Sequence, residues 1–377
     1  MPQIVYVPGS SQKICQLTGQ RDRERQQPTP NRTEARFGLV GTDLGFSFEH
    51  QGRLYFLFGD TFPTTPHTRH RPEGGDAIAW TDDATPDDGI TLHFITAPDG
   101  HYLSPRVPGI ALGWSKVPVG GFSLAGNMYV IFVTDYSEQT RTGRSVMARS
   151  GDNGRTFEHL YDIARNKFYN ISPAVVNNAE WPGLPAAAGQ GVLMWGSGKY
   201  RQSDPYLAYV AGRSVEDRAA WRFFTGAGAG NKPQWSARLV DAVPLFGHPV
   251  IGELSVTWNR FLRKWLMLYN SSDPRGVSFR VADHPWGPWS QNGVLFHPND
   301  DKGYCHFIHR AWTDALPPCD HVHDPGKEAV WGGDYGPYVI SRYTEGDSTS
   351  STIYWVMSTW NPYNVMLMRS RLRRIPG

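Results

Sequence analysis

Residues 41–62 read GTDLGFSFEHQGRLYFLFGDTF, and the fold turns on reading this stretch as a β-hairpin. Apolar and aromatic residues fill both runs, and Gln51-Gly52 supplies a two-residue turn. Pairing outward from that turn sets His50 against Arg53, Glu49 against Leu54, Ser47 against Phe56, Gly45 against Phe58 and Asp43 against Asp60. Directly opposed residues have Cβ atoms ~4.5–5.5 Å apart, and like charges at that spacing destabilise a sheet. The open end therefore carries two carboxylates side by side, flanked by Gly41, Gly45 and Gly59. On the hairpin alone two readings stand. Either the pair does chemistry, or one Asp caps a loop while the other binds backbone N–H groups.

The rest of the chain favours an all-β protein. The 377 residues include 40 Gly and 29 Pro, aromatics reach 13%, and no long run follows the 3.6-residue helical period. At ~150 residues per domain the length allows two or three domains, but all-β folds often run longer as one unit. A formal net charge of +2 with 19% charged residues gives no nucleic-acid footprint. The run Arg21–Arg25 alternates in sign and reads as a solvated loop. No apolar run reaches the ~20 residues of a membrane span, and the first ten residues lack the basic and apolar regions of a signal peptide. Of the three cysteines, Cys305 and Cys319 would pair in an oxidising compartment or remain free thiols in a reducing one.

From Phe37 onward, short strands separated by turn residues fall into five clusters, starting near Leu39, Trp114, Tyr169, Val250 and Asp334. Regular units of four strands are the signature of a β-propeller with one unit per blade. The expected fold is therefore a single five-bladed propeller over residues 1–377, with 1–36 as a strand and extension and 39–62 as the key hairpin. The last cluster is one strand short. Ile4–Val7 would supply the missing strand and close the ring, which hides the sheet edges.

Shorter motifs agree. Ser150-Gly-Asp-Asn-Gly-Arg-Thr-Phe157 fits the pattern S-x-D-x-G-x-T-(W/F) and resembles the Asp-box hairpin of sialidase-type blades. There Ser and Asp hold the turn backbone and Gly supplies its dihedral, so Asp152 is a fold marker. The stretch 283–290 (DHPWGPWS) resembles blade turns of furanoside-cleaving propellers, with Trp286 and Trp289 as packing residues.

Propeller sites form where the innermost strands start at the central channel. Those starts are Asp43, Lys116, Asn170 to Ser172, Glu253 and Asp334, and Asp60 lies beside Asp43. Converging acids suit glycoside cleavage, which uses two carboxyl groups around an oxocarbenium-like transition state. Clustering also keeps one member protonated as the general acid. The candidate substrate-binding residues are Trp80, Lys116, Asn170, Trp195, Asn270, Asp334 and Tyr335, with Trp114, Tyr169, Tyr200, Tyr338, Trp360 and Lys199 near the same ends. Each Trp also has the plainer reading of inter-blade packing, and each Lys that of a surface charge. The segment Tyr304–Asp324 holds zinc-ligand residue types, but its spacing matches no structural zinc pattern. One of its histidines would alternatively orient an acid in the channel. No nucleophile elbow, Walker A motif or dinucleotide fingerprict is present, so a serine triad and nucleotide binding are not expected.

Taken together, GTDLG at 41–45, FGDTF at 58–62, GELSVTWN at 252–259 and GPWS at 287–290 resemble the domain-of-unknown-function family 4185, which has been grouped as glycoside hydrolase family 183. The resemblance runs from about Gln16 to Arg371. It implies a five-bladed propeller that cleaves D-arabinofuranose polymers internally, namely the arabinan of mycobacterial arabinogalactan and lipoarabinomannan. It makes Asp43 and Asp60 the catalytic pair, with Glu253 assisting; Asp43 as base with Glu253 as acid is the competing assignment. Asp43 and Asp60 close together across the strands would suit retention, and splayed to ~6.5–9.5 Å inversion; resemblance to related propeller furanosidases favours inversion. Other readings are a different furanosidase or sialidase-like glycosidase, and a carbohydrate-binding propeller without catalysis. The expected partner is a polysaccharide, the expected state a monomer, and the expected place of action extracellular or in the cell wall. No cofactor is expected to be required, and a structural calcium ion is compatible with the acids.

Overall fold

The computed structural model describes residues 3–68, 70–111, 113, 116–311 and 319–376. Five antiparallel sheets follow one another along the chain. Their innermost strands are Leu44–His50, Lys116–Leu124, Asn170–Asn177, Ile251–Asn259 and Gly333–Val339. Each inner strand packs against the next, and the fifth returns to the first, so the sheets close into a five-bladed β-propeller. The inner-strand starts expected at Lys116, Asn170, Glu253 and Asp334 lie at or within two residues of the observed ones. Trp114 lies outside the described residues.

Two features let these strands line a channel. Inner strands are edges, and Pro118, Pro173 and Pro337 are tolerated there because an edge residue needs no second ladder bond. Buried serines then join neighbouring blades. Ser172 Oγ accepts from the Val256 N–H at 2.9 Å, and Ser255 Oγ donates to the Pro337 carbonyl at 2.9 Å. Apolar side chains fill the spaces between sheets. Met147 and Met194 meet between the second and third blades, Trp195 and Trp265 between the third and fourth, and Leu266 and Trp355 between the fourth and fifth. Each such fully buried side chain stabilises the fold by roughly 1.5–3 kcal/mol.

The ring closes as the strand count requires. Gln3–Tyr6 pairs antiparallel with Asn364–Ile375, the outer strand of the fifth blade, and Gln12–Gln16 adds to the same strand. The Asp-box turn joins the two outer strands of the second blade. Ser150 Oγ accepts from the Gly154 N–H at 2.9 Å, Asp152 accepts from Thr156, and Phe157 is buried against Phe132. Trp286 is buried and Trp289 packs against the same cluster, as expected.

The opening hairpin keeps its expected register only near the turn. His50 pairs with Arg53, Glu49 with Leu54 and Ser47 with Phe56. Beyond Ser47, Phe46 pairs with Leu57 and Leu44 with Phe58, which leaves Gly45 as the extra residue of a β-bulge. Leu44 and Gly45 both take positive φ, 62° and 109°. Asp43 is thereby carried opposite Gly59 and not opposite Asp60, and its carbonyl accepts from the Gly59 N–H at 3.0 Å. A second irregularity follows on the other side of the same strand. Phe58 pairs with Ala77 and Thr61 with Gly75, so Gly59 and Asp60 together face the single residue Asp76.

The fourth and fifth blades are joined by residues 297–332. This connection carries the Cys305–Cys319 disulfide, which decides between the two cysteine readings. Cys15 is free and buried.

Candidate active site

The two bulges gather acids at one mouth of the channel. Asp43 and Asp60 line a cavity of about 450 Å³ on one side and a second of about 360 Å³ on the other. Tyr200 and Tyr335 also border both, so the two cavities form one cleft centred on the carboxylates. Glu253 lines the smaller arm.

Each acid has a distinct setting. Asp43 is buried; Tyr335 donates to its Oδ2 at 2.9 Å, and Tyr363 is a further hydrogen-bonding partner. A Cβ on Gly59 would lie 2.4 Å from Asp43 Oδ1, so only glycine leaves room for this carboxylate. Burial pushes Asp43 up to about 7, the charge of Glu253 adds to the rise, and the two phenols oppose it. Asp60 is pushed up to about 10, first by burial and then by the charges of Asp43 and Asp76. The Lys116 ammonium opposes that rise, and among the described residues Asp60 Oδ1 has no hydrogen-bond partner. Glu253 pairs with Arg201, Nη2 to Oε1 at 3.2 Å. The Arg201 guanidinium lies over the rings of Tyr200 and Tyr335, at 4.6 and 5.2 Å. At neutral pH the site therefore holds a protonated carboxyl, Asp60, next to one that ionises near neutrality, Asp43. That is the requirement for paired general acid and base catalysis.

The family model described as domain of unknown function (DUF4185) matches residues 28–369. The chain is a member of the DUF4185 family. No curated protein matches this DUF4185 sequence. Among solved structures, the fold is similar to an exo-β-1,3-galactanase from Phanerochaete chrysosporium, with TM-score 0.51 and 7% identity over 95% of this chain and 64% of that one. It is also similar to the GH43_1 enzyme from Xanthomonas citri, with TM-score 0.47 and 12% identity over 88% and 87%. An α-L-arabinofuranosidase from Podospora anserina gives TM-score 0.45 and 12% identity over 98% of each chain. At such identities the likeness is one of fold.

Of the other residues expected at the site of this DUF4185 protein, Asn170 lines the smaller arm, while Asn270, Asp334, Tyr335 and Trp360 line the larger. Three expectations fail. Lys116 is fully enclosed, paired with Asp76 and donating to the Pro105 carbonyl at 2.7 Å, so its ammonium never meets the cleft. Trp195 is buried against Trp265, with Nε1 donating to the Pro285 carbonyl at 3.0 Å, and is a packing residue. Trp80 pairs with Tyr55 toward the turn end of the hairpin, away from the carboxylates, stacked on His93 at 4.4 Å. His309, within the zinc-like segment, contacts Asp320 and Asp324 and does not line the cleft. Among the described residues no group of three or more His, Cys, Asp or Glu side chains is placed to hold a metal ion. Sequence reasoning missed Arg201, Trp331 and Tyr363, which line the larger arm from loops, and Arg275, which lines it from the first position of the strand Arg275–Ala282.

Proposed function

We propose that this DUF4185 protein is a glycoside hydrolase, that it belongs with glycoside hydrolase family 183, and that it cleaves D-arabinofuranose polymers within the chain. The observation that carries the reading is that two cavities with largely different walls meet at Asp43 and Asp60, which supports binding of a polymer on either side of an internal bond. Asp60 acts as general acid, giving its proton to the leaving oxygen as the glycosidic bond breaks. Asp43, oriented by Tyr335 and Tyr363, acts as general base and takes a proton from the attacking water, with inversion. Glu253, paired with Arg201 at 3.2 Å in the smaller arm, assists the pair. The polymer meant is the arabinan of mycobacterial arabinogalactan and lipoarabinomannan. Action outside the cytosol accords with the Cys305–Cys319 disulfide, since such bonds persist in oxidising compartments.

The test is incubation with mycobacterial arabinogalactan, read as release of oligosaccharides. Asp43→Asn and Asp60→Asn should each lower kcat by ~10²–10⁴, the range for losing a general acid or base, with far-UV spectra unchanged. Full activity in either variant removes that residue from its role. Release of monosaccharide alone overturns internal cleavage.

A further inference from the structure

The two arms of the cleft differ in chemistry. The smaller arm is walled largely by Val117, Val119, Val133 and Tyr169, with Asn170 Nδ2 and Glu253 Oε2 as its own unpartnered atoms. Beyond the catalytic centre, where Asp43 Oδ1, Asp60 Oδ1 and Arg201 Nε also lack a partner, the larger arm holds three further polar atoms with no hydrogen-bond partner: Asn270 Oδ1, Arg275 Nε and Asp334 Oδ2, all buried. An unsatisfied buried polar group costs roughly 1–3 kcal/mol, and three in one wall mark a surface shaped for a polar ligand. Two acceptors beside one donor match neighbouring hydroxyl groups, each of which both donates and accepts. The same arm presents the indoles of Trp331 and Trp360, each 47% exposed. Apolar rings left open beside orphaned polar atoms suit a sugar, which offers a C–H face and a hydroxyl edge.

The geometry points to a sugar-binding subsite built from Asn270, Arg275, Asp334, Trp331 and Trp360, one that takes a neutral polyhydroxylated unit of the polymer beyond the bond being cut. This rests on the glycosidase reading. Charge decides for a neutral unit. Each guanidinium of this arm faces a carboxylate, Arg201 paired with Glu253 at 3.2 Å and Arg275 coupled electrostatically to Asp334, so neither is left over to hold a uronic or sialic acid.

The connection between the fourth and fifth blades supplies the stacking ring. Arg275 lies over the Trp331 indole at 5.0 Å. The Trp331 carbonyl accepts from Asn361 Nδ2 at 3.1 Å, and the Gly332 N–H donates to the His309 carbonyl at 2.9 Å. A Cβ on Gly333 would come within 2.8 Å of the Trp331 ring, so the absence of a side chain there lets the indole fold over the strand.

The experiment measures kcat/KM on D-arabinofuranose oligosaccharides from the shortest that is cut upward, for wild type, Trp331→Ala, Asp334→Asn and Gly333→Ala. Thermal midpoints serve as the check on folding. The subsite requires that wild type gain with chain length, and that the variants lose about 10-fold or more of that gain, expressed in KM. Equal losses at every length, or none, overturn it. Calorimetry on Asp60→Asn with and without Trp331→Ala separates this from failure of the hydrolase reading. If wild type cuts nothing but Asp60→Asn binds a neutral oligosaccharide and the double variant does not, the subsite stands and the hydrolase falls. If Asp60→Asn binds none, the subsite falls. Tighter binding of an acidic oligosaccharide than of a neutral one also overturns it.

Discussion

Asp76 and Lys116 form a buried ion pair directly behind Asp60. The charge of Asp76 helps hold the proton on Asp60, so the pair tunes the proposed acid without touching substrate. Asp76→Asn should therefore move the alkaline limb of the kcat/KM profile to lower pH, because Asp60 then loses its proton more readily. It should also cost stability, roughly 3–5 kcal/mol, by leaving the buried Lys116 unpaired. A profile that keeps its alkaline limb separates Asp76 from the acid. The elevated carboxyls make a second prediction, in stability. A carboxyl whose folded pKa lies above its unfolded value of ~3.9 contributes stability that is full below ~3.9 and lost as pH rises through the folded value. Asp60→Asn should melt above wild type by a margin that grows from pH ~4 toward the Asp60 value of about 10, whereas the Asp43→Asn margin should level off near 7. Melting curves across that range check both, and a margin independent of pH contradicts them. Sequence patterning singled out Asp43, Asp60 and Glu253 because acids at strand starts break an otherwise apolar pattern. It misassigned Lys116 because a lysine opening an apolar strand looks the same whether it meets solvent or a buried aspartate.

The hairpin shows what strand patterning carries and what it loses. Alternation and the Gln51-Gly52 turn gave the right pairing as far as Ser47, since register near a tight turn is local. The bulge at Gly45 is a tertiary choice. It lets Leu44 turn into the space beside Tyr338 and Val356 of the fifth blade, and no nearby residue announces it. Its effect is to stagger the two aspartates and to seat the Asp43 carboxylate over Gly59. Gly59→Ala should then abolish turnover and also lower the melting midpoint, since the added methyl meets the buried Asp43 carboxylate at 2.4 Å and Leu44 and Val117 at 3.0 Å. Crystallography or pH-dependent activity would reveal the displaced carboxylate; retained wild-type turnover would show that Asp43 has room to spare. Arg201, Arg275, Trp331 and Tyr363 escaped the sequence reading for a related reason. Arg201, Trp331 and Tyr363 sit in connections between strands and Arg275 at a strand's first residue, where no periodicity states which way a side chain points.

At the scale of the molecule the blade count was legible, because five clusters and one missing strand leave a single way to close the ring. The ends of the chain supply that closure, with Val5 paired to Arg373 and Tyr6 to Leu372. Removing residues 1–8 should uncover the edge of Asn364–Ile375 and lower the thermal midpoint, with aggregation on heating, because an unpaired edge recruits other chains. Light scattering during the melt would check it, and an unchanged midpoint would assign the closing role to Gln12–Gln16 alone. The same seam sets a timetable during synthesis. Gln3–Tyr6 must wait for its partner Asn364–Ile375, some 370 residues later at a few tens of seconds of translation. Until then the nascent chain carries four blades and an open ring, so the cell must shelter one unpaired strand at each end. Loop closure over such a span is slow, so the pairing of this seam, more than the folding of any single blade, paces the appearance of a complete cleft.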